Sequence, residues 1–142
     1  MAIVQTMCSS FKQQILLGQH DLSTDVIKIA LYTSSAILND STTVYSTTGE
    51  VSSSGTNYTA GGNTLTGVSV TLAGTTAIVS FNNSTWSNSN ITARGALIYN
   101  SSKGNRSVAV LNFGGTYTWE DSTVAQVQFP SDGSTTAVVK FN

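Results

Sequence analysis

The sequence predicts an all-β fold, a β-sandwich or jelly-roll-like single domain carrying one short N-terminal helix. Two patterns predict it. Apolar residues recur at every second position in several short runs, the period of a strand with one buried face. Gly, Asn, Ser and Asp clusters separate those runs at fairly even spacing, as turns do in sandwiches and barrels. The chain has 142 residues, enough for one core and too few for two. The expected organisation is therefore one domain over 1–142, with an arm and helix in 1–20 and the sandwich in 21–142.

The elements follow in chain order. Ser10-Phe11-Lys12-Gln13 has capping-box spacing, Phe11 and Ile15 share a helical face, and Gly18 can end the helix. Asp25–Thr33 alternates, with Ile27, Ile29 and Leu31 on one face and Lys28 and Tyr32 on the other, which reads as a half-buried strand. Residues 39–62 are polar and loop-like, with weak strand signals at Thr43–Tyr45 and Asn57–Thr59. Val68, Val70 and Leu72 then form one apolar row, and Ala77, Val79 and Phe81 the next beyond a turn at Gly74. Ala125, Val127 and Phe129 make another row, followed by Pro130 and a turn at Ser131-Asp132-Gly133-Ser134. Ala137, Val139 and Phe141 close the series.

One strand pair breaks the alternation. Ile91–Tyr99 and Ser107–Phe113, joined by the polar stretch 100–106, read as a hairpin that is apolar at both parities. Ala93, Leu97 and Tyr99 oppose Ala96 and Ile98, while Val108 and Val110 oppose Ala109, Leu111 and Phe113. Strands of this kind are covered on both faces. The helix, a second sheet or a neighbouring subunit can supply the cover. The segment Met1-Ala2-Ile3-Val4 is expected to dock, on its own domain or on a neighbour.

Composition narrows the functional classes. Charged residues make up 9% of the chain, against roughly 25% in an ordinary soluble domain. Neutral polar groups hydrate such a surface and leave little charge repulsion between copies. Lys12, Lys28, Arg94, Lys103, Arg106 and Lys140 are spread out, so no basic stripe for nucleic acid is expected. No run reaches the length of a membrane-spanning helix, and the first residues lack a secretory signal's basic and apolar regions. Synthesis in a cytoplasm is expected. One proline and few lysines leave sheet edges with little of their usual protection.

Catalytic chemistry finds little purchase. His20 is the single histidine, and no G-x-S-x-G elbow accompanies it. Glu120-Asp121 are adjacent, so on an extended chain they point apart, and Trp119-Glu120-Asp121-Ser122 reads as a turn. Gly61-Gly62 and Gly114-Gly115 read as turn glycines, not as cofactor loops. Cys8 alone can form neither an intrachain disulfide nor a Cys-based zinc site. No enzyme activity, cofactor or metal is expected. Trp86, Trp119, Tyr117, Tyr58 and Tyr45 offer a sugar-binding platform as an alternative to core and interface packing.

The series FKQQILLGQHDL, KIALYTSSA, YTAGGNTLTGVSVT, ITARGALIYNSS, VAVLNFGG and VQFP, over 11–130, resembles small β-rich virion proteins of tailed bacteriophages. The resemblance implies a capsid decoration or cement protein on the virion's capsid surface. Such a protein stabilises the head shell by bridging major capsid protein subunits, commonly as a homotrimer. A tail, neck or fibre-adaptor component and a host-glycan-binding module are the alternatives. The resemblance carries no binding residues. Patterning alone selects Ile3, Val4 and Phe11 of the N-terminal segment as contacts, with Arg94, Ile98, Lys103, Arg106, Val108 and Val110 of the hairpin.

Overall fold

A computed structural model describes residues 2–129 and 137–141. Pro130 and the expected turn at Ser131-Asp132-Gly133-Ser134 lie outside the described residues. The elements are β1 (Thr6–Met7), α1 (Ser9–Leu16), β2 (Ile27–Tyr32), β3 (Asn63–Thr64), β4 (Ser69–Ala73), β5 (Thr76–Ser80), β6 (Ser84–Asn100), a 3-10 turn (Ser101–Lys103), β7 (Arg106–Val127) and β8 (Val139–Phe141). The strands form two antiparallel sheets, ordered β1-β7-β6-β2-β3 and β4-β5-β8. The fold is all-β with one short helix, as the alternation predicts.

The centre of the larger sheet is buried on both faces. Register places Ile29, Ile98 and Ala109 in one row and Leu31, Ala96 and Leu111 in the next, on the same face. Ala30, Leu97 and Val110 lie on the other face. All nine are buried. β2 is therefore not half-buried as its alternation suggests; Tyr32 is buried with Leu31, and only Lys28 is partly open. The cover over both faces comes from the chain itself.

On the Ile98 face lies α1. Phe11 is fully buried, with its ring 5.0 Å from His20 and 6.2 Å from Phe141 of β8. The helix begins at Ser9 with Cys8 as its N-cap, and no side chain caps it. The expected Ser10–Gln13 capping box is not made, and the buried Ser10 Oγ has no hydrogen-bond partner among the described residues. The helix starts two residues earlier than the box requires, which puts Ser10 inside the first turn, whereas a box needs its serine outside it.

The opposite face is closed by the long segment between β2 and β3. This stretch has almost no regular structure, so side chains fasten it. Tyr45 stacks on Tyr99 at 4.7 Å, and the Tyr32 hydroxyl donates to the Ser46 carbonyl at 2.6 Å. Glu50 accepts from the Tyr45 hydroxyl (2.7 Å), the Tyr58 hydroxyl (2.6 Å) and the Gly61 N–H (2.8 Å). The Tyr58 hydroxyl also accepts from the Leu31 N–H at 2.9 Å. Gly62 finishes the segment where a Cβ would stand 1.8 Å from the Ile29 carbonyl oxygen, so only glycine fits. Of the weak strand signals, Thr43–Tyr45 makes an isolated bridge from Val44 to Arg106, whereas 57–59 forms no strand.

β6 and β7 extend well past the expected hairpin. Their connection is shorter than the polar stretch suggested, a 3-10 turn capped by the Asn100 side chain, which accepts from the Ser102 N–H at 3.0 Å. At the other end the ribbon continues to Ser84↔Val127 through several bulges. Gly114-Gly115 and Trp119–Ser122 are thus not turns; both lie within β7, where its register against β6 shifts. Extra residues in one strand bend it without ending the pairing. Ala125, Val127, Val79, Phe81 and Val139 are buried as their rows predict.

Candidate functional site

Five of the expected contact residues are spent inside the chain's own core. Ile3 is 4% exposed, and Phe11, Ile98, Val108 and Val110 are fully buried. A side chain with no accessible surface has none to offer a partner, so these five are corrected to core positions. Ile3 bridges Leu38, its carbonyl accepts from the Asn112 Nδ2 at 2.8 Å, and its methyls pack where Gly95 lacks a Cβ. The N-terminal arm therefore docks on its own domain. An Ile3→Asp change puts a carboxylate into that core and probes folding, not contact.

The four others reach the surface in separate settings. Val4 is 49% exposed beside the docked arm. Arg94 Nη1 donates to the Asn112 Oδ1, next to that arm. Lys103 is exposed, 3.6 Å from Asp25, and Arg106 donates to the Gln19 Oε1 at 2.9 Å. Lys103 and Arg106 border a polar knot beneath α1. There His20 Nε2 contacts the Gln14 Oε1 at 2.8 Å, and Asn100 Nδ2 meets His20 Nδ1 at 3.0 Å and Asp25 Oδ2 at 2.7 Å. Burial, with repulsion from Arg106, lowers the His20 pKa below its ordinary value; Asp25 opposes and Lys103 adds to the lowering. Each of these groups is held by its neighbours, which makes the knot a clasp between helix and hairpin. Burial raises the pKa of the Cys8 thiol, which keeps it protonated and unreactive.

Alternation misassigns β4. Val70 and Leu72 read as an inward row, yet they are 53% and 74% exposed, and only Val68 packs partly on the core. β4 ends the smaller sheet, so among the described residues its outer edge has no strand beside it. It contains no charged residue and no proline. Leu16 and Leu17 at the end of α1 and Ile37 on the covering loop are exposed as well. The signal that marks β4 is its lack of edge guards, not its apolar period.

The aromatic residues separate into two groups. Trp86 and Tyr58 are buried, with rings 6.1 Å apart, and Tyr45 is tied to Tyr99 and Glu50. These three are structural. Tyr117 is 51% exposed and lies 6.3 Å from the half-buried Trp119. Both line an open cleft of about 580 Å³ with Gln5, Leu111, Asn112, Phe113, Gln126, Val127, Gln128, Phe129 and Val138. The bulges of β7 create it. Between Asn112 and Tyr117 the strand gains residues over β6, and a second shift follows Trp119, so Gln126 and Gln128 come to line the same hollow. Asn112 holds the first bulge, its Oδ1 accepting from the Gly114 N–H at 2.8 Å.

Among the described residues no group of three or more His, Cys, Asp or Glu side chains could hold a metal ion. No described helix is long and apolar enough to cross a membrane. In comparisons with known proteins, no family model, no curated protein and no solved structure matches this chain.

Proposed function

We propose that the chain is a non-catalytic virion structural protein, a capsid decoration protein that stabilises the head shell by bridging major capsid protein subunits. The observation that carries this reading is β4, an unguarded edge strand with Val70 and Leu72 open to solvent. Edges of this kind pair with other chains unless charge, proline or a cover prevents it. The low charge of the surface supports close packing of copies, and the ordered sequence blocks resemble those of small phage virion proteins. Self-association into a trimer would give one particle several weak attachments, and several together hold far more tightly than one. The reading needs no cofactor.

Quantitative mass spectrometry of purified virions tests it. A copy number comparable to that of the major capsid protein is expected. A small minority would move the protein to the tail or a unique vertex. Absence from virions would remove the structural role altogether.

A further inference from the structure

We propose that the cleft beside Tyr117 and Trp119 binds an uncharged oligosaccharide. The site does not rest on the assembly reading above, since its residues lie on β7 and the segments beside it and not on β4. Its lining carries the argument. Tyr117 presents half its surface next to Trp119, two rings of the size and polarity that stack against the C–H face of a pyranose. Around them stand four primary amides, Gln5, Asn112, Gln126 and Gln128. An amide offers a donor pair and an acceptor together, the complement of vicinal hydroxyl groups.

The hydrogen bonds within the cleft leave part of that capacity open. Gln5 Oε1 accepts from the Asn112 N–H at 3.1 Å, and Gln128 Nε2 donates to the Gln126 Oε1 at 2.8 Å. Neither bond uses the Gln5 nitrogen, the Gln126 nitrogen or the Gln128 oxygen. Those three atoms are positioned by their partners and remain able to meet hydroxyls.

Charge decides the ligand class. Among the described residues none that lines the cleft is charged, so none of them compensates a phosphate, a carboxylate or an ammonium group. The volume of about 580 Å³ falls in the range of small-molecule sites. An apolar peptide would leave the amides unmatched, at the cost of burying polar groups without partners. An uncharged saccharide satisfies both the rings and the amides.

Titration of the purified protein with maltohexaose, cellohexaose and chitohexaose tests the site, read by tryptophan fluorescence and calorimetry. Binding of at least one is expected, with a fluorescence change from Trp119. Tyr117→Ala should weaken that binding at least tenfold, and Gln126→Ala several-fold; both positions are exposed, so the fold is kept. Leu72→Lys should leave it unchanged. No binding to any of the three at millimolar concentration overturns the proposal, as does full-strength binding by Tyr117→Ala. Self-association abolished by Tyr117→Ala would assign the cleft to a second copy, which overturns it too.

Discussion

His20 shows how much one side chain can report. Its imidazole touches Gln14, Asn100 and the Phe11 ring, and it is buried in its neutral form. The folded protein binds the proton less readily than the unfolded chain, whose value is near 6.5. Stability is therefore full above that value and falls as pH drops through it toward the lower folded value. For Asp25, burial acts to raise the pKa, but bonds from Asn100 and the Asp21 N–H, with Lys103, outweigh it and hold it low. Asp21, bonded to Ser23, is low as well. Stability present above their ordinary carboxylate value is lost as pH falls through their lower folded values. Melting temperature measured between about pH 7.5 and 5 should decline. In His20→Gln, which keeps a polar side chain and removes the titration, that slope should be shallower.

At the scale of elements, the segment between β2 and β3 depends on a few bonds. Glu50 is the common acceptor for Tyr45, Tyr58 and the Gly61 N–H. Burial, reinforced by that carboxylate, raises the pKa of both tyrosines, so both stay protonated donors at any physiological pH. Tyr99, raised by burial and by Glu50 to about 12, likewise stays a donor to the Gly61 carbonyl. Glu50→Ala leaves three donors without their acceptor and should cost about 2–4 kcal/mol in denaturant unfolding. Hydrogen exchange should quicken across 45–61 before it quickens in β6. None of this covering role was legible in the sequence, because a polar stretch with scattered tyrosines looks the same whether it covers a sheet or hangs free. The strands themselves were legible wherever alternation and turn residues agreed, as in β5 and β8. The second half of β7 was not, since its bulge residues Gly114-Gly115 and Glu120-Asp121 are the types that also make turns. For the cleft, Tyr117 and Trp119 were visible as aromatics. The bulges that bring amides beside them were not, because no local pattern records a register shift.

For the whole molecule, the question is what lies against its surface. Two-faced apolarity in the hairpin was compatible with an internal cover or an external one, and the internal cover is what the fold contains. Exposed apolar side chains stand elsewhere, among them Val70 and Leu72 on β4 and Leu16 and Leu17 at the end of α1, where alternation gives the parity of a side chain but not what faces it. Val70→Lys with Leu72→Lys places two guards on the β4 edge. Sedimentation should show loss of self-association, while unfolding free energy changes by less than about 1 kcal/mol per site. A strong loss of stability instead would mean that the β4 side chains belong to the core.

The docked N-terminal arm also sets an order of events during synthesis. Ile3 and Asn112, which hold each other, are 109 residues apart, and Thr6 pairs with Val110. The arm leaves the ribosome 109 residues ahead of the strand position that holds it. At about 5–20 residues per second, the arm waits roughly 5–20 s for β7 to emerge. For most of that interval Ile3 and Phe11 have no core to enter, and β2 has no partner until β6 emerges just ahead of β7. The larger sheet therefore closes late, and a nascent chain exposes most of its unpaired strand surface just before β7 is finished.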